Sequence, residues 1–224
     1  RDFCLSRGLG DVYKRQLDDL SRERLVSGNL EEIISTKSIV GVTTNPAIFA
    51  AAMTNGTAYD AELSTLKEAK ASADEAVYAL AIEDVKNACG LFADIYSSSN
   101  GADGRVSIEV DPRISDDANA TLEQARELWS KVDRPNVMIK IPATTGSLPA
   151  IEDALAEGIS VNVTLIFSVD RYRDVIEAFR TGLKRAAEAG KDVSAIHSVA
   201  SFFVSRLDTE VDKRLEAIGS EIAL

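Results

Sequence analysis

Short apolar runs alternate with longer helical stretches along most of this chain. Five runs read as strands: residues 38–43 (SIVGVT), 105–110 (RVSIEV), 137–141 (VMIKI), 160–167 (SVNVTLIF) and 195–200 (AIHSVA). Between them, residues 57–96, 116–132, 146–157 and 168–189 carry helical periodicity. Start signals accompany two of these helices: Ser168 stands ahead of Asp170, and Ser115 with Asp116 precedes an Ala/Leu run. Strands and helices taking turns predict parallel pairing through right-handed crossovers.

An open doubly wound sheet and a closed barrel can both be built from this order, but the placement of polar residues separates them. Side chains alternate along a strand, so Val106, Ile108 and Val110 share one face and Ser107, Glu109 and Asp111 the other. The split recurs in Val137, Ile139 and Ile141 against Met138 and Lys140, and in Val161, Val163 and Leu165 against Asn162 and Thr164. A sheet covered by helices on both faces is normally apolar on both. Three strands with one polar face therefore point to a barrel lined by functional groups, whose site belongs at the C-terminal strand ends. Glu109, Lys140 and Thr164 all fall late in their strands.

Composition narrows the function without defining it. The 224 residues are 45% hydrophobic and 27% charged, which suits one globular domain. A net charge of −11 argues against a nucleic-acid partner, since such proteins carry a basic face. No apolar run reaches bilayer length, so no membrane association is expected. Two cysteines, Cys4 and Cys89, are too few for a secreted disulfide framework, and a reducing cytoplasm is the expected setting. With one histidine, His197, and no Cys/His cluster, neither a metal nor an organic cofactor is expected. Residues 1–16 differ from the rest: Arg1, Arg7, Lys14 and Arg15 face only Asp2 and Asp11. They are expected to be a non-native segment, leaving residues 17–224 as a partial barrel domain, and the abrupt final GSEIAL reads as the start of a further element.

Lys140 is the residue with the most chemical potential. It is an ammonium among Met138, Ile139, Ile141 and Pro142, and desolvation there favours the neutral amine that can attack a carbonyl. A lysine snorkelling from a strand end is the plainer alternative. Glu109, one strand earlier with the same parity, suits activation of the water exchanged when an imine forms; its alternative is an ordinary ion pair with Lys140. Thr164 offers a hydroxyl to the same water, or to the backbone. Asp18, in LDDLS, could deprotonate a sugar hydroxyl, although Asp18 and Asp19 also resemble helix caps.

The runs LDDLSRE, GVTTNPAIF, SIEVDPRIS, MIKIPAT, SVNVTLIFS and SVASFFVSRLD resemble, in order and spacing, the strand ends of transaldolases. That resemblance covers Leu17 onward and implies an incomplete TIM-type (β/α)8 barrel and a Schiff-base enzyme that moves a dihydroxyacetone unit between sugar phosphates. It implies Lys140 as nucleophile, Asp18 as the acid/base of aldol cleavage, and Glu109 with Thr164 handling the catalytic water. Asn45, Asn162 and Ser201 match residues that bind the dihydroxyacetone hydroxyls, and Arg206 matches a phosphate-gripping arginine. For Asn45 the alternative is turn formation before Pro46, and for Arg206 a solvated helix face. Six of the family's eight strands are matched, and a second phosphate-binding arginine falls outside the matched region. A fructose 6-phosphate aldolase, which releases free dihydroxyacetone, is the nearest rival reading, and a barrel fragment that only binds is the non-enzymatic one. Oligomeric state is not legible. The sequence predicts no turnover by this chain in a coupled assay for glyceraldehyde 3-phosphate, and turnover by a version repaired at its start and extended through two more strands.

Overall fold

Parallel strands cannot be joined by a tight turn, so every strand here hands the chain to helical structure that carries it back to the start of the next. The computed structural model describes residues 15–54 and 57–219. Its strands are β1 (Arg15–Leu17), β2 (Ile39–Thr43), β3 (Arg105–Glu109), β4 (Val137–Pro142), β5 (Val161–Ile166) and β6 (Ser198–Phe202). They pair in chain order and all in parallel, giving a curled, incomplete (β/α) barrel with β1 and β6 at its margins.

The helices are α1 (Arg22–Val26), α2 (Asn29–Lys37), α3 (Pro46–Thr54), α4 (Asp60–Glu68), α5 (Ala73–Leu91), α6 (Ala93–Ser98), α7 (Ala118–Val132), α8 (Leu148–Ala156), α9 (Val169–Glu188) and α10 (Val204–Ile218). Local chemistry starts several of them. Ser72 and Glu75 form a reciprocal capping box on α5, and Ser168 accepts from the Arg171 N–H at the head of α9, as the sequence predicts. The cap of α7 is Asp117, which accepts from Asn119 and Ala120, so neither Ser115 nor Asp116 serves there. Ser115 instead gives its carbonyl oxygen to the hydroxyls of Thr144 and Ser147.

The core lies between the sheet and its helices. Val106, Ile108, Val137, Ile139, Ile141, Val161 and Val163 are fully buried with Leu128 of α7 and Ile151 and Leu155 of α8. The opposite parity gathers Ser107, Glu109, Lys140, Asn162 and Thr164, all buried too. Ser107 Oγ accepts a hydrogen bond from Asn162 Nδ2 at 3.0 Å although β4 lies between their strands. Strands two apart in a flat sheet are separated by roughly 9–10 Å, so this contact requires the polar side chains to converge on a concave face.

Three sequence expectations are corrected, and the first strand is placed. The helical stretch 57–96 divides into α4, α5 and α6, and its upstream neighbour α3 went unmarked because AIFAAAM lacks a clear polar face. The sixth strand is Ser198–Phe202 rather than 195–200, residues 193–195 forming a 3-10 turn. Arg15 and Gln16, set aside with the basic start, pair their backbones with β2, since ladder hydrogen bonds do not depend on side-chain type; residues 1–14 lie outside the described residues. Finally, Leu165 does not continue the Val161/Val163 face. It has φ 60° inside an irregularity of the β5/β6 ladder, and Ile166 takes its place in the core.

Helix packing makes a direct prediction. A Cβ on Gly182 of α9 would stand 2.7 Å from Leu155 Cβ and 2.8 Å from the Glu152 carbonyl, whereas one on Gly90 would meet nothing within 4 Å. Gly182→Val should therefore lower stability by about 1–3 kcal/mol through forced separation of α8 and α9. Gly90→Ala should raise it by roughly 0.5–1 kcal/mol through helix propensity. Urea unfolding of both variants checks the contrast.

Candidate active site

The register of the central strands brings the candidate residues into line. Glu109 pairs with Lys140 across β3/β4, and Lys140 with Asn162 across β4/β5. Three chemically different side chains thus sit abreast on one level of the concave face, near the C-terminal ends of their strands. Lys140 Nζ lies 3.1 Å from Glu109 Oε2 and donates to the Thr44 carbonyl oxygen, also at 3.1 Å. Lys140 is 6% exposed and Glu109 8%, so this is a buried pair rather than a snorkelling lysine. The ordinary ion pair, the alternative for Glu109, is thus present. Burial raises the Glu109 carboxyl above the ordinary range, against the opposing pull of Lys140 and, more weakly, of Arg206. It is therefore a better proton acceptor than a solvent-exposed carboxylate.

Around this pair runs a chain of fixed polar contacts. Thr44, fully buried just after β2, donates its hydroxyl to the Ser107 carbonyl at 2.7 Å, which aims its own carbonyl at Lys140. Ser201 Oγ donates to Asn162 Oδ1 at 2.9 Å while Asn162 Nδ2 donates to Ser107 Oγ. With one partner on each end, the Asn162 side chain is held in place between β3 and β6. Thr164, aligned with Pro142, is 1% exposed, and its hydroxyl has no hydrogen-bond partner among the described residues. Leaving a buried hydroxyl unmatched costs about 1–3 kcal/mol, so a group of this kind asks for a ligand.

The remaining candidates lie at the rim. Asp18 follows β1 directly and is exposed; with Asn45 it lines a cleft of about 1040 Å³ bounded by α1, α3 and Tyr59. Neither Asp18 nor Asp19 caps α1. Ser21 does, and Asp19 pairs with Arg24. Asn45 Oδ1 accepts from the Ile48 N–H at 2.9 Å at the head of α3, where turn formation before Pro46 was the alternative, and Asn45 also borders a smaller cleft of about 210 Å³ beside Glu109. Arg206 is exposed in the first turn of α10, with its guanidinium 4.8 Å from the Phe203 ring centroid. The geometry therefore joins Lys140, Glu109, Asn162 and Ser201 in one cluster, sets Thr164 beside it, puts Asn45 in a cleft with Glu109, and leaves Asp18 in the larger neighbouring cleft and Arg206 at the surface.

Sequence reasoning passed over Thr44 and Ser107. Ser107 had the right parity in SIEV, but a buried serine is usually a packing residue, and only the cross-strand contact reveals what it holds. Tyr78 of α5 was also missed; its hydroxyl reaches the Glu109 carbonyl at 3.5 Å. His197 precedes β6 at the N-terminal end of the sheet, where burial and the Arg105 charge lower its pKa. Among the described residues no three His, Cys, Asp or Glu side chains are grouped to hold a metal ion, and no helix is long and apolar enough to cross a membrane.

Parallel strands feeding helices, with a buried lysine–carboxylate pair near the strand C-termini, place the chain among (β/α)-barrel proteins with the groups needed for amine chemistry on a carbonyl. Comparison with known proteins is more specific. The family model described as Transaldolase/Fructose-6-phosphate aldolase matches residues 16–223. Proteins named transaldolase from Mycolicibacterium smegmatis and Mycobacterium ulcerans are each 61% identical over 208 residues, 93% of this chain. One from Kocuria rhizophila is 59% identical over 207 residues, 92% of this chain. The chain belongs to the Transaldolase/Fructose-6-phosphate aldolase family, and it spans 56% of the length of these relatives.

The buried pair predicts a non-additive mutant cycle. Glu109→Leu alone should cost about 3–5 kcal/mol, because it leaves the Lys140 charge buried without a partner. Glu109→Leu combined with Lys140→Met should cost much less, since both charges are then replaced by apolar volume. Urea denaturation of the two single variants and the double variant measures the coupling.

Proposed function

We propose that this site forms a Schiff base between Lys140 and a ketose phosphate and transfers the resulting three-carbon dihydroxyacetone unit to an aldose phosphate. The observation that carries the reading is the buried contact between Lys140 Nζ and Glu109 Oε2. An amine nucleophile needs somewhere to leave its proton, and a carboxyl whose affinity for protons is raised by burial supplies that place.

In this reading Lys140 attacks the ketone of fructose 6-phosphate or sedoheptulose 7-phosphate. Glu109 and the otherwise unpartnered Thr164 hydroxyl hold the water that departs as the imine forms. Asn162, fixed by Ser107 and Ser201, presents its remaining amide hydrogen to a dihydroxyacetone hydroxyl, with Ser201 and Asn45 as further contacts. Asp18 takes the proton of the C4 hydroxyl, the C3–C4 bond breaks, and an aldose phosphate leaves while the enamine stays on Lys140. Arg206 supplies a permanent positive charge for the substrate phosphate at the mouth. The setting is the cytoplasm and the non-oxidative pentose phosphate pathway. A reducing compartment suits Cys89, a free buried thiol whose pKa burial pushes up to about 12.

The aldolase reading stays open because the family description covers both activities. A transferase keeps the three-carbon enamine until an aldehyde accepts it, and an aldolase lets it go.

Reduction with borohydride in the presence of fructose 6-phosphate should add a sugar-derived mass to the peptide containing Lys140, and Lys140→Ala should abolish it. Glu109→Gln should slow adduct formation by about 100-fold or more, the usual range for loss of a positioned acid/base. Labelling spread evenly over surface lysines in the parent chain would remove the basis for the reading.

A further inference from the structure

Four residues beyond Asp18, Arg22 is held by a set of contacts that no step of the chemistry above employs. Its Nε donates to Asp84 Oδ1 and a terminal nitrogen donates to Glu62. Its backbone N–H donates to Tyr59 Oη at 2.8 Å, and that hydroxyl donates to Asp84 Oδ2 at 2.6 Å. The guanidinium also lies over the Tyr59 ring, 5.3 Å from its centroid. Asp84 is 0% exposed, and Tyr59 and Arg22 are buried with it. A carboxylate sealed from water persists only where its partners are fixed in place, so this cluster is rigid by necessity.

Its position gives that rigidity a use. β1 has three residues, one neighbouring strand and an irregular register between Arg15 and Gln16, so the ladder alone holds Asp18 weakly. Leu17 and Leu20 reach the core on either side of Asp18, but apolar burial is not directional. The directional restraint comes from Arg22, whose main chain and side chain are both tied to Asp84 in α5, directly or through Tyr59. Tyr59 and Asp18 border the same cleft.

We propose that Arg22, Tyr59 and Asp84 form a latch that positions Asp18 for carbon–carbon cleavage without touching the ketose. The inference rests on the Schiff-base reading. In the iminium formed on Lys140, Asp18 accepts the C4 hydroxyl proton and C4–O becomes a carbonyl. The C3–C4 electron pair then becomes the C2=C3 double bond as the C=N π pair moves onto the iminium nitrogen, leaving a three-carbon enamine and free glyceraldehyde 3-phosphate. Imine formation does not need Asp18, whereas cleavage does. A displacement of about 1 Å at such a base costs on the order of 100-fold.

Borohydride separates the two steps by mass, because it reduces either the six-carbon iminium or, once the enamine is protonated, the three-carbon one. Tyr59→Phe, Asp84→Asn and Arg22→Lys, each in the version repaired at its start and extended through two more strands, are incubated with fructose 6-phosphate, reduced, and mapped at the Lys140 peptide. Total adduct should stay within about twofold of the parent chain, while the three-carbon to six-carbon ratio falls at least tenfold, as it should in Asp18→Asn. An unchanged ratio in those variants that retain adduct overturns the latch, and so does a parallel fall of both adducts, which marks mere loss of structure. Absence of any Lys140 adduct in the parent chain overturns the Schiff-base reading itself. Tyr59→Phe, the mildest of the three changes, keeps the test decisive if the others fail to fold.

Discussion

The contact between the Lys140 ammonium and the Glu109 carboxylate governs how the rest of the molecule is arranged. Two opposite charges withdrawn from water are costly unless each is closely matched, and here the match is made by strand register and not by chance proximity. That requirement explains why β3 and β4 are buried along their whole length, and why the Thr44 carbonyl is steered towards the amine by its own hydroxyl. It also explains why the neighbouring amide of Asn162 is held at both ends. Each of these groups lowers the cost of keeping a charged amine inside the sheet.

The two margins of the sheet contrast with this centre. At β6 and α10, large apolar side chains face outward, including Phe202, Val204, Leu207 and Val211. At β1 the strand is short, yet the segment after it is drawn inward by a buried arginine–tyrosine–aspartate cluster and by two leucines. One margin is thus organised by polar contacts that specify direction, and the other carries apolar groups that specify little beyond contact. Rim residues lie against these two margins: Asp18 borders its cleft together with Tyr59 of the buried cluster, whereas Arg206 rests on an aromatic ring at the surface.

Much of the architecture was legible because parallel strands with one polar face are unusual. VMIKI and SIEV give their inward residues away by parity alone, and the register then places Lys140 beside Glu109. Elsewhere the local signals were weaker. The run AIFAAAM packs as α3 with no polar stripe to mark it, and the cap of α7 falls one residue beyond the Ser115/Asp116 pair because several capping residues stand in a row. Arg22 and Asp84 are separated by 62 positions, so nothing local in either segment announces their contact. Ser107 shows the same limit on a smaller scale. Its face could be read from the alternation, but its bond to Asn162 depends on how strongly the sheet curls.

Leu165 carries a last consequence. A leucine in the left-handed region at φ 60° is disfavoured by roughly 1–2 kcal/mol, yet the kink it makes lets Ile166 return to the core immediately after Thr164 turns inward. Drift at this one position is therefore lopsided. Glycine would relax the backbone but free the segment that aims a buried hydroxyl, and a β-branched residue would deepen the strain, so a locally uncomfortable side chain can outlast better-fitting substitutes.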